Sequence, residues 1–411
     1  MTPKIEERID GFYFSWPESK IIIEISRVNT HRDGRVTGEI LIKTTADNYS
    51  PILQPPTQMN FSADRTRKEL TNNLTKKYPD FPWDTITDEL AYYIQDLARQ
   101  GEPVHELWTH EEFEKPSYLL DPILVKGLPT IIFGEKGVAK STLSLVLYIC
   151  LTLPWHDNPL ELSAPQRSIK TLILDWETER NIVQYYANKL QVGMELPTFP
   201  IYYRRCGFPL ADDIEQIQSH ISKLGAEVII IDSLGAAAGG DLKSPEVALK
   251  FFSALRKLKV TSLIIAQTSK SEDGKKRTVF GSTYFQYYSR SIFELCKAET
   301  ISDSEVDIAL FHREANLSAL SQPRGYRLHH NETGITVESI SVDINDFRKK
   351  INAQSLILDA LKQGLLTVDE IAAISGVDAN SVKPILTKLK KRDRVVNPER
   401  GKWGLYAQSI F

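Results

Sequence analysis

Gly134, Lys140 and Ser141 stand at offsets that suit a polyphosphate. Residues 128–147 read LPTIIFGEKGVAKSTLSLVL, a short apolar run, a glycine-bearing turn and then a helical pattern opening with Lys140, Ser141 and Thr142. In a loop of the G-x-x-x-x-G-K-[ST] type, successive backbone N–H groups and a helix N-terminus face the phosphates while the lysine reaches the outer ones. Gly134, Lys140 and Ser141 match that pattern and Gly137 adds flexibility, but its sixth position is Ala139. The candidate cradle is therefore Gly134, Glu135, Lys136, Gly137, Val138, Ala139, Lys140, Ser141 and Thr142. A strand-turn-helix with an incidental Lys-Ser-Thr is the plainer alternative, and it leaves the two fitting glycines unexplained.

Three further polar groups close apolar runs downstream. Asp175-Trp176-Glu177 follows one such run, and a carboxylate there can polarise water for attack on a γ-phosphate, a role that falls to Glu177. The plainer reading is a solvated carboxylate at a strand end. Val228-Ile229-Ile230-Ile231 is closed by Asp232, the Walker B pattern, in which the aspartate holds Mg²⁺, usually through water. Gln267, at the end of a fifth run, offers an amide able to sense the γ-phosphate.

These groups need elements that bring them together. The apolar runs 130–133, 171–175, 201–204, 228–231 and 262–266 alternate with helical patterns at 141–151, 179–190, 212–224 and 245–258. Continuous apolar strands are buried on both faces, which predicts a mainly parallel sheet flanked by helices. In such α/β sheets ligands bind at the carboxyl ends of the strands, where the polar groups named above fall. Further alternation at 306–311, 325–330 and 335–338 predicts antiparallel strands completing the sheet.

The remainder divides into two smaller units. Residues 1–110 form an α+β module, with strands at 12–16, 21–28 and 35–44 and helices at 65–77 and 88–99, in which no chemistry is recognisable. Polar, proline-bearing residues 102–116 form a linker, and the central domain spans 117–340. Residues 351–411 give helical patterns at 353–363, 368–375 and 379–391 and then a hairpin around 397–401.

A chain of 411 residues fits two or three domains. Its net charge of -3 excludes bulk basicity, so nucleic-acid contacts must come from local patches. Cys150, Cys206 and Cys296 are far apart and form no C-x-x-C pair, which argues against a disulfide framework or zinc knuckle and fits buried thiols in a reduced cytoplasm. The N-terminus lacks a signal-peptide core and no apolar run approaches the ~20 residues that span a bilayer, so no membrane partner is expected.

The loop wording GxxGxAKS is similar to that of MCM-type helicases and MoxR-type ATPases. Over roughly 119–337 the ordered series GEKGVAKST, LILDWETE, VIIIDSLGAA, LIIAQTSK and GSTYFQYYSRSIFEL resembles the RecA-type ATPase core, and more particularly the RepA-like hexameric helicases. The departures are Ala139 and a glutamine where some relatives carry histidine. The resemblance implies an α/β, RecA-like P-loop core that binds ATP and Mg²⁺ between subunits of a homo-oligomeric ring, as a replicative helicase or DNA-loading ATPase. It implies catalytic roles for Lys140, Glu177 and Gln267, with Asp232 and Ser141 at the metal. It also points to Arg290 as a trans-acting arginine, a role for which Lys270, Arg277 and Arg313 compete.

The resemblance further implies that the polar loop KSEDGKKRTVFG lines the ring, where Lys275, Lys276 and Arg277 contact phosphates of single-stranded DNA. A solvated charged loop is the plainer reading. The small residues 235–243 are a candidate second pore loop. The C-terminal text VDEIAAISGVDANSVKPILTKLKKRDRVV resembles a winged helix-turn-helix. The nine Lys and Arg against six Asp and Glu of residues 351–411 fit duplex DNA through Asn380, Ser381, Lys383, Lys388, Lys390 and Lys391, with Arg400 and Lys402 on the wing. Winged helices that serve only protein contacts are the alternative, and an ATP-switched DNA-binding regulator or a recombinase- or KaiC-like ATPase is the alternative for the whole chain.

Overall fold

The computed structural model describes residues 2–8, 11–101, 104, 106, 117–268, 278–298, 304–342, 353–390, 394–399 and 401–406. Expectations for Lys270, Lys275, Lys276, Arg277, Lys391 and Arg400, and for most of the 102–116 linker, lie outside these residues.

The chain begins with β1 (Lys4–Arg8), β2 (Gly11–Trp16), β3 (Ile21–Thr30), β4 (Val36–Thr44) and β5 (Ile52–Asn60), an antiparallel sheet in sequence order. Helices α1 (Asp64–Lys77) and α2 (Trp83–Gln100) follow. Ile21, Ile23 and Ile25 of β3 and Ile40 and Ile42 of β4 alternate into the core with Phe14 and Trp16, against Ile86, Leu90 and Ile94 of α2. This is the two-residue period of a sheet covered on one face. Trp16 Nε1 donates to Glu89 (2.8 Å), which satisfies the buried indole. The two strands not foreseen lie at the edges. β1 is short, charged and exposed, and β5 contains Pro55-Pro56, tolerated because its outer side has no ladder partner.

After β6 (Tyr118–Leu120) and β7 (Leu124–Val125) come β8 (Pro129–Gly134), α3 (Lys140–Thr152), β9 (Thr171–Asp175), α4 (Arg180–Gly193), β10 (Tyr202–Arg205) and α5 (Ile214–Leu224). They are followed by β11 (Val228–Asp232), α6 (Leu234–Ala238), α7 (Pro245–Lys257), β12 (Thr261–Gln267), α8 (Tyr284–Tyr288), β13 (Ser291–Lys297), β14 (Glu305–Ala315), β15 (Arg324–His330) and β16 (Ile335–Ile340). They build a nine-stranded sheet in the order β10-β9-β11-β12-β8-β13-β14-β15-β16. Strands β10 to β13 in that order run parallel and β14 to β16 return antiparallel.

Both faces are covered. Ile132 and Ile173 pack with α3 on one side, while Ile131, Phe133, Leu172 and Leu174 pack with α5 and α7 on the other. Cys150, Cys206 and Cys296 are buried thiols outside any disulfide, and burial pushes Cys150 up to about 12 and Cys206 up to about 11. At the far end of α4, Gly193 lies against the backbone of Gly334 and Ile335, so closely that neither glycine has room for a methyl group.

The C-terminal unit comprises α9 (Ala353–Ala360), a single 3-10 turn (Leu361–Gln363), β17 (Leu366–Thr367), α10 (Val368–Ser375), α11 (Ala379–Lys390), β18 (Val395–Glu399) and β19 (Lys402–Leu405). The continuous helix expected over 353–363 thus tightens before Gly364, whose φ of 130° no ordinary helix accepts. Ile357, Leu361, Ile371, Val382, Leu386, Leu389 and Val395 form a separate core. Thr367 and Glu370 close a capping box on α10, and Gly376 in the left-handed region ends it. Among the described residues no helix is long and apolar enough to cross a membrane.

Candidate nucleotide site

β8 delivers the chain to the site at Gly134. A methyl there would collide with the carbonyl oxygen of Leu295 on β13 and with Val138, so this glycine is demanded by strand packing. The loop then turns through Gly137 (φ 80°) and Ala139 (φ 62°, ψ 29°), and α3 begins at Lys140. Ala139 adopts the left-handed conformation that a glycine would take without strain, at a cost of about 1 kcal/mol.

Lys140 Nζ donates to the carbonyl oxygens of Gly134 (2.9 Å) and Glu135 (2.6 Å), lying over the loop. Burial lowers its pKa, opposed by Asp232, Glu177 and Glu135. Ser141 Oγ donates to Asp232 Oδ2 (2.8 Å), joining the start of α3 to the end of β11. Burial is also the main cause that pushes Asp232 up to about 6; Asp175 and Glu177 raise it further, while the Ser141 hydroxyl and Lys140 pull it down.

Glu177 sits on a turn built by Asp175. The buried Asp175 carboxylate accepts from the Glu177 N–H (2.8 Å), the Thr178 N–H (2.9 Å) and the Thr178 hydroxyl. At the tip of Glu177, Oε1 accepts from Ser233 Oγ. Gln267 ends β12 in register with Gly134.

These groups surround one cavity of about 810 Å³ at the carboxyl ends of β8, β9, β11 and β12. Lys136, Gly137, Ala139, Lys140, Ser141 and Thr142 line it, as do Asp175, Glu177, Asp232, Ser233 and Gln267. Gly134 and Glu135 do not line it, and Val138 turns into the core. The opposite wall is apolar, made by Ile182, Val183 and Tyr186 of α4. Among the described residues no cluster of three carboxylate, histidine or cysteine ligands surrounds a metal position. The hard oxygen donors of Ser141 and Asp232, in a crowd of negative charge, instead fit Mg²⁺, which keeps most of its water and needs only one or two protein ligands beside phosphate.

Arg290 is elsewhere. Its N–H bonds the Pro129 carbonyl (3.1 Å) at the start of β8, the opposite end of the sheet, and it lines a separate depression of about 150 Å³ with Arg256 and Lys259. Arg313 is also outside the cavity, buried against Glu294 (2.5 Å). Asn380, Ser381, Lys383, Lys388 and Lys390 are exposed on α11, away from the side that buries Val382, Leu386 and Leu389. Sequence reasoning assigned no role to Asp175, Ser233 or Tyr186. Asp175 stood in the DWE run beside Glu177, and Tyr186 falls two turns into a helix whose cavity-facing side the pattern did not reveal.

Residues 98–273 match a protein family described as AAA domain, a span that contains Lys140, Glu177, Asp232 and Gln267. No curated protein matches the chain. Among solved structures, a KaiC-like protein from the hyperthermophilic archaeon Pyrococcus horikoshii OT3 is similar at 14% identity and a TM-score of 0.36, covering 55% of this chain and 97% of that one. The family match over this span and the cavity together support a P-loop ATPase.

Proposed function

We propose that the protein is an ATP-hydrolysing DNA motor, a ring-forming helicase or DNA-loading ATPase in which a neighbouring copy completes each site. The observation that carries the ATPase reading is the convergence of Lys140, Ser141, Glu177, Asp232 and Gln267 on one cavity from four strand ends. ATP enters with its phosphates over the loop and its base against Tyr186, Ile182 and Val183. Lys140 leaves the Gly134 and Glu135 carbonyls for the outer phosphates. Ser141 and Asp232 would hold Mg²⁺, which supplies charge neutralisation between the phosphates.

Glu177 accepts a proton from water as its oxygen forms the new bond to the γ-phosphorus. The bond to the β–γ bridging oxygen breaks and ADP carries that electron pair away. Gln267, at the next strand end, reports whether the γ-phosphate is present. Arg290, remote from its own chain's cavity, suits action only on a neighbour's site, and a hexamer is the ring proposed.

The DNA part of the reading rests on the exposed lysines of α11 and on the winged-helix order of the C-terminal elements. The same lysines favour a second reading, an ATP-switched duplex-binding regulator. Turnover of Mg-ATP by wild type, Lys140→Ala and Glu177→Gln, with and without single-stranded DNA, tests the motor. Loss of turnover in both variants together with DNA stimulation of wild type is the expected result. Wild-type turnover in either variant overturns the site. ATP-dependent duplex binding without strand separation selects the regulator.

A further inference from the structure

The residue after Asp232 is tied to Glu177. Ser233 is 4% exposed and precedes α6 as its N-cap, a position from which a serine hydroxyl ordinarily accepts a bond from the helix's own first amides. Here it makes no such bond and donates to Glu177 Oε1 instead. The two ends of the Glu177 residue are thus held from different strands, its backbone by Asp175 and its carboxylate by Ser233.

Ser233 also opens a short, tightly held segment. α6 ends at Gly239 (φ 66°) and Gly240 (φ 85°), and a side chain at Gly239 would meet Pro209 at 2.5 Å. The Leu210 N–H bonds the Ala237 carbonyl (2.8 Å). Beyond the glycines, the Leu242 carbonyl accepts from the Ser282 N–H (2.7 Å), and Gly281 (φ 120°) sits so near that a methyl would lie 2.7 Å from that oxygen. The Phe280 N–H then returns to the Gln267 carbonyl (2.9 Å). Residues 233–242 therefore form a bracket with Glu177 at one end and the 278–282 loop at the other.

We propose that Ser233 is a positioning residue that fixes the Glu177 carboxylate and makes its orientation depend on where the 239–242 loop is held. The proposal rests on the reading of Glu177 as the water-activating group and adds what sets its geometry. A glutamate on an exposed turn has several free torsions, and one charge-assisted bond from a buried hydroxyl selects among them. The bond engages Oε1 and leaves Oε2 to receive the proton from water.

Steady-state ATP turnover of the full-length protein tests this. Ser233→Ala lowers kcat about tenfold with KM for ATP unchanged, as expected when an interaction acting only in the reaction step is lost. Ser233→Thr, which keeps the hydroxyl, retains most of the activity. In a Glu177→Gln background, Ser233→Ala causes no further loss, because its effect passes through the missing carboxylate. Gly281→Ala, which presses on Leu242, lowers kcat in the parent and not in Ser233→Ala.

Should Ser233→Ala fail to fold, Ser233→Cys keeps the volume with a weak donor and carries the same expectation. Wild-type kcat in Ser233→Ala beside an inactive Glu177→Gln overturns the proposal alone. So does a loss that persists undiminished in the Glu177→Gln background. Wild-type turnover in Glu177→Gln overturns the reading of Glu177 itself.

Discussion

Ser141 Oγ and Asp232 Oδ2 meet at 2.8 Å although 91 residues separate them in the chain. One group begins the helix after the phosphate loop and the other ends the strand two places away in the sheet. Their bond marks where the α/β layers converge on the cavity, and the carboxylate in it is poised against its surroundings.

Asp232 illustrates the tension between stability and function. Its folded pKa of about 6 lies above the ordinary 3.8, so the folded state holds its proton more tightly than the unfolded chain. The contribution of this one group to stability is therefore most favourable at low pH and is lost as pH rises from about 4 to about 6, a loss of up to about 3 kcal/mol. Asp232→Asn is expected to be more stable than wild type at pH 7 without Mg²⁺, with the difference shrinking below pH 4, and to lose Mg²⁺-dependent turnover. Urea denaturation across pH, with a parallel ATPase assay, measures both; a variant no more stable than wild type at neutral pH contradicts this account.

The left-handed Ala139 gives a prediction of opposite kind. Ala139→Gly removes the Cβ strain at φ 62° and restores the sixth-position glycine. The stability gain is about 0.5–1 kcal/mol after the greater unfolded-state freedom of glycine is subtracted. A fall in thermal midpoint on this substitution would show that the strain is absent.

Glu294 and Arg313 form a buried pair with side chains 5% and 12% exposed. Arg313→Leu leaves Glu294 uncompensated and destabilises by about 3–5 kcal/mol. Replacing both residues by apolar groups recovers most of the loss, and a double-mutant cycle in denaturant provides the check.

Tyr186 is expected to govern nucleotide affinity. Tyr186→Ala raises KM for ATP about tenfold while kcat changes little, as loss of one ring stacked on a base implies. Tyr186→Phe keeps wild-type values. An unchanged KM in the alanine variant removes Tyr186 from the base-binding wall.

The strand ends were legible because each parallel strand announces itself as an apolar run closed by a polar residue. Val228–Asp232 and Thr171–Asp175 are such runs, and the chemistry lies at their last residues or just beyond. What was not legible depends on contacts distant in sequence. Ser233 reads as an ordinary helix cap until Glu177 is seen beside it. Arg290 precedes a strand, and only the sheet order shows that this places it at the end away from Gly134. The edge strands β1 and β5 lack the alternation of their neighbours, because an edge position tolerates charge and proline.

The buried cysteines make the protein a convenient object for spectroscopy. Thiols raised to about 12 at Cys150 and about 11 at Cys206 present almost no thiolate at neutral pH, and thiolate is the species that maleimides and disulfide reagents attack. A single cysteine introduced on the surface, for example in place of Lys243 near the 239–242 loop, would then carry a fluorophore without prior removal of the native thiols. Motion of that loop during turnover becomes directly observable in an otherwise unaltered chain.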